Sequence, residues 1–190
     1  MASSAISPHV ALLRGINVGG KNMIPMADLA AIFEAAGARD VRTYIQSGNV
    51  VFAASPRIAE RIPAAVAKAI AKEFRLEIPV VLRSADELRR AAARNPFLEQ
   101  GIDPDWLHVA FLADVPERAR ASSLDSKRSP GDAFVLLGRE IYLHLPNGAA
   151  RTKLTNAWFD SKLATTSTLR NWRTVQKLLE MTRPPKPSAR

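Results

Sequence analysis

The sequence contains no cysteine. This absence excludes disulfides, thiolate zinc ligands and thiol nucleophiles together. Three histidines are present, His9, His108 and His144, and no two of them have the spacing of paired metal ligands. We therefore expect neither a metal nor a cofactor.

Long apolar runs are also missing. No stretch approaches the roughly 20 apolar residues that cross a bilayer, and the sequence lacks the basic start, apolar stretch and cleavage site of a signal peptide. These two absences predict a cytoplasmic protein that does not bind membranes.

Signatures of catalysis are scarce. No serine lies in a G-x-S-x-G motif, no histidine lies near a plausible nucleophile, and the acids are scattered along predicted helices. We assign no catalytic residue. Acids that are distant in sequence can meet in space, so whether the protein is an enzyme stays open at this point.

Charge is abundant and unevenly distributed. The net charge is +9, and residues 151–190 contribute nine basic and two acidic side chains, against 18 basic and 16 acidic in residues 1–150. A basic C-terminal segment attracts polyanions, although many soluble proteins carry one without binding nucleic acid.

Hydrophobic periodicity in the first half predicts the order strand, helix, strand, strand, helix, strand. The predicted elements are strand 10–13, helix 26–36, the hairpin strands 41–45 and 50–53, helix 58–74 and strand 77–82. Two β-α-β units joined by a hairpin form a ferredoxin-like sandwich, in which two helices cover one face of a sheet.

The second half repeats this order after a helix over 84–94, which begins with the capping box of Ser84 and Glu87. We predict strand 106–113, helix 115–122, strands 133–137 and 140–145, and helices 152–163 and 169–181. The predicted fold class is α+β with two ferredoxin-like subdomains, related by a duplication without an obvious sequence repeat. The second subdomain ends in a helix where a fourth strand is expected. The predicted boundaries are 8–83, a linking segment 84–104, 105–182 and a disordered tail 183–190.

A glycine-rich loop follows the first strand. Gly15, Gly19 and Gly20 fall within six positions, between Arg14 and Lys21. Such a loop suits an anion, which exposed N–H groups and cations would bind. Tight bends in a strand-to-helix connection explain the glycines equally well, so both interpretations stay open.

The same loop has the G-x-x-x-x-G-K spacing of a P-loop. Asn22 stands where serine or threonine would coordinate magnesium, and Pro25 indicates a helix that begins after the lysine rather than at it. The sequence therefore argues against a nucleoside triphosphatase.

Two further polar segments stand out. The tip of the first hairpin carries Tyr44, Gln46 and Asn49, and too few aromatic residues accompany them for the stacking used by ferredoxin-like RNA-binding modules. The hydroxyls of 165–168 precede a predicted helix that would align Arg170, Arg173 and Lys177, so they could cap the helix or bind an oxyanion.

The three segments together resemble a known family. R-G-I-N-V-G-G-K-N at 14–22, T-Y-I-Q-S-G-N-V-V-F at 43–52 and R-N-W-R-T-V at 170–175 resemble the bacterial domain of unknown function 1697 family. The resemblance extends across nearly the whole chain. It implies two ferredoxin-like subdomains and no reaction.

Our hypothesis is that the three segments converge on one anion-binding cleft between the subdomains. The ligand would be a phosphate-bearing small molecule or nucleic acid; alternatives are an enzyme acting on a nucleotide or phosphorylated small molecule, and an interaction scaffold without a ligand. No oligomeric state is predicted. The candidate ligand-binding residues are Arg14, Gly15, Asn17, Gly19, Gly20, Lys21, Asn22, Tyr44, Gln46, Ser47, Asn49, Thr168, Arg170, Asn171 and Arg173.

Overall fold

A computed structural model describes residues 5–183. Its strands are β1 (Ser7–Leu13), β2 (Arg39–Tyr44), β3 (Asn49–Ala54), β4 (Val80–Ser84), β5 (Leu107–Leu112), β6 (Ala133–Leu137), β7 (Glu140–His144) and β8 (Ser167–Asn171). Its α-helices are α1 (Met26–Ala35), α2 (Pro56–Phe74), α3 (Ala85–Ala93), α4 (Arg118–Ser122), α5 (Asn156–Leu163) and α6 (Trp172–Met181). None of these helices is both long enough and apolar enough to cross a membrane.

The chain divides into two compact units. Within the described residues, the first unit comprises 5–89 together with 176–183, and the second unit comprises Arg90–Val175. The boundaries predicted from the sequence instead assign the whole C-terminal helix to the second subdomain. The predicted tail 183–190 lies outside the described residues except for Arg183.

The first unit is built on a sheet with the order β2-β3-β1-β4, in which all neighbours are antiparallel. One face of this sheet packs on α1 and α2, because apolar residues recur at the helical spacing in both helices. Leu13 and Phe52 of the sheet join Phe33 of α1 and Val66 of α2 in this core.

The second unit has the equivalent order β6-β7-β5-β8, again with antiparallel neighbours. Leu112 and Leu143 of the sheet pack against Phe159 and Leu163 of α5. Strand order and connectivity in both units are those of a ferredoxin-like fold. The predicted fold class is therefore confirmed.

The end of the second unit differs from the prediction. Residues Ser167–Asn171 form the fourth strand, β8, and α6 begins at Trp172 rather than at Leu169. Strand β8 pairs with β5 from His108↔Asn171 to Leu112↔Ser167, and this pairing outweighs the local cap pattern. Arg170 consequently lies on a strand and does not align with Arg173 and Lys177 on a helix face.

The pairing of the first strand with the last strand has the same register in both units. His9 of β1 pairs with Ser84 of β4, and His108 of β5 pairs with Asn171 of β8. The segments that begin at these histidines read H-V-A-L-L and H-V-A-F-L. The shared register thus aligns a short similar segment in two halves that have no obvious sequence repeat.

Candidate ligand-binding surfaces

The glycine-rich loop forms a small hairpin of its own. Val18 and Lys21 form an isolated β-bridge, and the Lys21 N–H donates a 3.0 Å hydrogen bond to the Val18 carbonyl. The two residues between them, Gly19 and Gly20, have φ values of 58° and 73°. Positive φ at both central positions is the geometry of a type I′ turn, which explains the glycine pair.

Two asparagines hold this turn in place. Asn17 donates from Nδ2 to the Ile24 carbonyl at 2.9 Å and accepts at Oδ1 from the Ile24 N–H at 2.8 Å. Asn22 donates from Nδ2 to the Gly15 carbonyl at 2.8 Å. Asn17 therefore has a structural role within the loop, because both of its amide atoms bond to Ile24, and its ligand-orienting role stays a prediction.

The first hairpin packs against the base of the glycine-rich loop. The Leu13 N–H donates to the Gly48 carbonyl at 2.8 Å. A Cβ atom at Gly48 would lie 2.7 Å from the Cβ of Leu13 and 3.1 Å from Cγ1 of Ile16. Two of the three polar segments are therefore neighbours in the first unit.

Asn49 does not reach solvent at the hairpin tip. Its side chain is buried and donates from Nδ2 to the Tyr44 carbonyl at 3.2 Å and to Ser47 Oγ at 2.9 Å. Asn49 closes the hairpin loop and does not orient a ligand as predicted. Gln46, in contrast, is exposed at the tip.

We use the name loop–hairpin surface for residues 14–23 and 44–49. Its exposed side chains include Lys21 and Gln46 as well as three large apolar residues, Val18, Met23 and Ile45. Within residues 5–183, the N–H groups of Gly19 and Gly20 donate no hydrogen bond. The surface thus combines backbone donors, a cation and apolar area.

The P-loop resemblance does not extend to the structure. Lys21 lies in the β-bridge with Val18, and α1 begins only at Met26. In a P-loop the helix starts at the lysine, so that its first N–H groups contact the phosphates. This loop therefore lacks the arrangement that binds nucleoside triphosphates in P-loop proteins.

The third polar segment belongs to the second unit and is largely buried. Arg170 is 8% exposed, and its Nη1 donates to Thr168 Oγ1 and to the Leu169 carbonyl, both at 2.8 Å. Burial lowers the pKa of Arg170 to about 10. The prediction that Thr168 and Arg170 contact an anion at a helix start is corrected, because both side chains lie in a buried strand and bond each other.

Two further hydroxyls of this segment, those of Ser167 and Thr165, have partners of their own. Ser167 Oγ donates to Asp160 Oδ1 at 2.6 Å, and Thr165 Oγ1 accepts from the Asp114 N–H at 3.1 Å. These hydroxyls connect β8 to α5 and to the end of β5. They do not form the predicted oxyanion site.

A cavity of about 360 Å³ lies where β8 passes into α6. We call it the corner cavity; its lining includes Asp105, His108, Asn171, Trp172 and Arg173. Asn171 caps the helix, since its Oδ1 accepts from the Thr174 N–H at 2.8 Å. Two of the predicted site residues, Asn171 and Arg173, therefore line the corner cavity.

Two residues that line the corner cavity have a buried polar atom without a partner. Within residues 5–183, Nε1 of Trp172 and Nδ1 of His108 are buried and make no hydrogen bond. Burial lowers the pKa of His108, and the backbone at Trp106 acts in the opposite direction. Arg173 Nη2 pairs with Asp105 Oδ2 at 2.6 Å, and both side chains are exposed.

Three residues of this cavity, Asp105, His108 and Trp172, are absent from the sequence-based candidates. The repeat at His9 and His108 is the signal that could have identified His108. The part of the chain that the structure describes holds no group of three or more His, Asp or Glu residues placed to bind a metal. The predicted single cleft combines residues of both units and stays a prediction.

The protein thus consists of two ferredoxin-like units. The first unit carries the loop–hairpin surface, and the second unit carries the corner cavity. The chain belongs to the family described as "Protein of unknown function (DUF1697)", whose model matches residues 6–142. The match confirms the suspected family; it spans the motifs at 14–22 and 43–52 and ends before the motif at 170–175.

A solved structure shares the fold. It is titled as the structure of conserved bacterial protein SP0830 from Streptococcus pneumoniae, and it matches with a TM-score of 0.70 and 23% sequence identity over 94% of this chain and 100% of that chain. At this identity the likeness shows the fold alone. A comparison with curated proteins found no match.

Proposed function

We propose that the protein binds a phosphate-bearing polyanion, with single-stranded nucleic acid as the best fit, through the loop–hairpin surface. The observation that carries this proposal is the Gly19-Gly20 turn. It presents two N–H groups that donate no hydrogen bond within residues 5–183, directly before the exposed ammonium group of Lys21. Backbone donors beside a cation bind phosphate oxygens well.

The loop is organised before any ligand arrives. Asn17 fixes the loop to Ile24 through two hydrogen bonds, and Ile16 and Ile24 are buried beneath it. A preorganised loop loses little conformational entropy on binding, so its few donors contribute more affinity than those of a mobile loop.

The shape of the surface favours an extended ligand over an enclosed small molecule. An ideal Cβ atom at Gly19 or Gly20 would have no atom within 4 Å, so the turn protrudes and has no walls. The exposed side chains of Val18, Met23 and Ile45 offer apolar contact area for sugars and bases. The net charge of +9 adds long-range attraction for a polyanion.

The decisive experiment compares Gly19→Asp with Gly19→Asn. Asn-Gly and Asp-Gly both suit a type I′ turn, so the two variants keep the fold and differ by one charge. We expect Gly19→Asp to weaken the binding of a fluorescent single-stranded oligonucleotide at least about tenfold relative to Gly19→Asn, because the carboxylate repels phosphate next to the N–H groups. Equal affinity for the two variants would reject the proposal.

A second comparison tests the role of Lys21. Lys21→Ala is expected to weaken oligonucleotide binding and to reduce the slope of log affinity against log salt by about 0.7, the contribution of one phosphate contact in a single strand. Lys68→Ala is the matched control, since Lys68 is an exposed lysine of α2 in the same unit.

The same measurements separate the alternatives. Hydrolysis of a nucleotide or phosphorylated small molecule would indicate an enzyme, and its loss in Gly19→Asp would place that reaction at this surface. If neither oligonucleotides nor small phosphates bind, the scaffold without a ligand is the remaining interpretation.

A further inference from the structure

The junction of β4 and α3 in the first unit corresponds to the junction of β8 and α6, where the corner cavity lies in the second unit. In the first unit, the Glu87 carboxylate occupies this position. The Ser84 N–H donates to Glu87 Oε2 at 2.8 Å, and the Glu87 N–H donates to Ser84 Oγ at 3.2 Å. These two bonds form the capping box at the start of α3. An oxyanion thus lies at the junction of β4 and α3.

The second unit retains only half of this arrangement. Asn171 occupies the position of Ser84, and its Oδ1 accepts from the Thr174 N–H at 2.8 Å. Thr174 occupies the position of Glu87 and has no carboxylate. Among residues 5–183, no side chain accepts a hydrogen bond from the Asn171 N–H.

The second residue of the helix at this corner has a different charge in the two units. Asp86 is the second residue of α3, whereas Arg173 is the second residue of α6. Each of these side chains belongs to an exposed ion pair, Asp86 with Arg89 and Arg173 with Asp105. Thr174 provides no carboxylate in place of Glu87, and Arg173 supplies a guanidinium group at the edge of the corner cavity.

Trp172 supplies an independent observation. Its side chain is 2% exposed and lines the corner cavity, and its Nε1 has no acceptor within residues 5–183. An indole nitrogen can only donate, and a buried donor without a partner costs free energy because its hydrogen bond to water is lost on folding. An acceptor atom brought by a ligand would remove this cost.

We propose that the corner cavity binds a small molecule through a phosphate or carboxylate group, which takes the place that the Glu87 carboxylate holds in the first unit. Trp172 Nε1, the Arg173 guanidinium and the first N–H groups of α6, which have no acceptor within the helix, donate to this group. The volume of about 360 Å³ fits a compact metabolite. This site is separate from the loop–hairpin surface and extends beyond the proposed function.

The Trp172 indole gives a direct readout. The chain has three tryptophans, so a ¹⁵N-labelled sample gives three indole N–H signals, and the spectrum of Trp172→Phe assigns the relevant one. Inorganic phosphate, adenosine 5′-monophosphate and succinate are titrated to about 10 mM, with neutral adenosine as the uncharged probe.

We expect a saturable shift of the Trp172 signal with at least one anion and none with adenosine. Saturation by adenosine 5′-monophosphate or phosphate at lower concentration than by succinate identifies a phosphate ligand, and the reverse order identifies a carboxylate. No shift with any of the three anions, or an equal shift with adenosine, would overturn the proposal.

Arg173→Gln and Arg89→Gln form a matched pair. Each arginine is exposed and pairs with an aspartate at 2.6 Å, Arg173 with Asp105 and Arg89 with Asp86. Loss of a charge-assisted hydrogen bond should weaken binding of the saturating anion about tenfold in Arg173→Gln and leave it unchanged in Arg89→Gln. Equal affinities for the two variants would contradict the proposal.

Thr174→Glu restores the missing carboxylate and should abolish binding by occupying the site internally. If this variant does not fold, Arg173→Gln and Trp172→Phe still decide the outcome. Lys21→Ala should leave the Trp172 shift unchanged, so failure of the loop–hairpin proposal and failure of this one can be told apart.

Discussion

Arg83 and Arg170 occupy the same position in their two sheets. Arg83 pairs with Val10 in the register of β4 and β1, and Arg170 pairs with Val109 in the register of β8 and β5. Each arginine donates from Nη1 to the carbonyl of the preceding residue at 2.8 Å. The duplication therefore preserves a buried arginine that bonds its own strand.

Replacement of Arg170 tests this structural role. Arg170→Ala should lower the free energy of unfolding by about 2–4 kcal/mol, because it leaves a cavity and removes the donor to Thr168 Oγ1. Urea unfolding measures the change. Arg173→Ala is the control and should cost at most about 1 kcal/mol, since its ion pair is exposed. Similar losses for both variants would argue against a structural role for Arg170.

Gly48 should tolerate a side chain far less than Gly15 does. Both have positive φ, 75° and 70°, so alanine is strained at either position. Only at Gly48 would the new Cβ also meet Leu13, at 2.7 Å. We expect Gly48→Ala to destabilise the protein by about 1–3 kcal/mol more than Gly15→Ala, measured as the difference in unfolding free energies. Equal costs would show that the hairpin tip shifts away from the loop.

The capping box makes a smaller, measurable contribution. Ser84→Ala removes the acceptor for the Glu87 N–H and should cost about 1 kcal/mol of unfolding free energy. Ser84→Thr retains a hydroxyl and should preserve most of the stability. A neutral Ser84→Ala variant would mean that water replaces the cap without loss.

Acidification should destabilise the protein through two histidines, the buried His9 and the partly buried His108. Burial lowers the pKa of both His9 and His108 below the ordinary value of 6.5. As the pH falls below about 6.5, the unfolded chain binds protons that the folded chain does not, so the stability present above pH 6.5 is lost as the pH falls through the lowered pKa values. The urea midpoint should therefore decrease between pH 7 and pH 5.

The double variant His9→Gln, His108→Gln isolates this effect. Glutamine does not titrate in this range, so the urea midpoint of the double variant should fall less on acidification than that of the unchanged protein. Parallel curves for the two proteins would assign the acid sensitivity to other groups.

Local patterns predicted most of the fold because local interactions determine those elements. The apolar repeat of α2 and the Ser84 and Glu87 spacing at α3 are visible in the sequence, and both capping bonds form. The two hairpins likewise follow from short β-rich runs around turn residues. These features depend on residues a few positions apart, which is the range that sequence patterns report.

Strand β8 and the site residues within it depend on distant partners. Ser167 to Asn171 reads locally as a polar helix cap, and only pairing with β5, about 60 residues earlier, makes it a strand. The buried role of Arg170 follows from that pairing. Residues 81–83 and 168–170 share a pattern, a β-branched residue followed by leucine and arginine. Once the two halves are aligned, this pattern indicates that Arg170 has the same strand position as Arg83.

In the glycine-rich loop, too, the sequence predicts the features that depend on adjacent residues and misses those that depend on the chain path. Its glycine pair indicates a turn, and the structure shows that turn. The internal use of Asn17 and Asn49 was not predictable, because an amide side chain in a loop suits a ligand and a neighbouring backbone equally well. Their partners, Ile24 and Tyr44, become evident only when the chain path is known.

The path of the last helix has a consequence for synthesis. Arg42 Nη2 in β2 donates to the Met181 carbonyl at 2.7 Å, across 139 positions of the chain, and residues from Gln176 onward belong to the first unit. A nascent polypeptide whose last translated codon precedes Gln176 lacks part of that unit. The first unit is therefore completed only after the whole of the second unit has been translated.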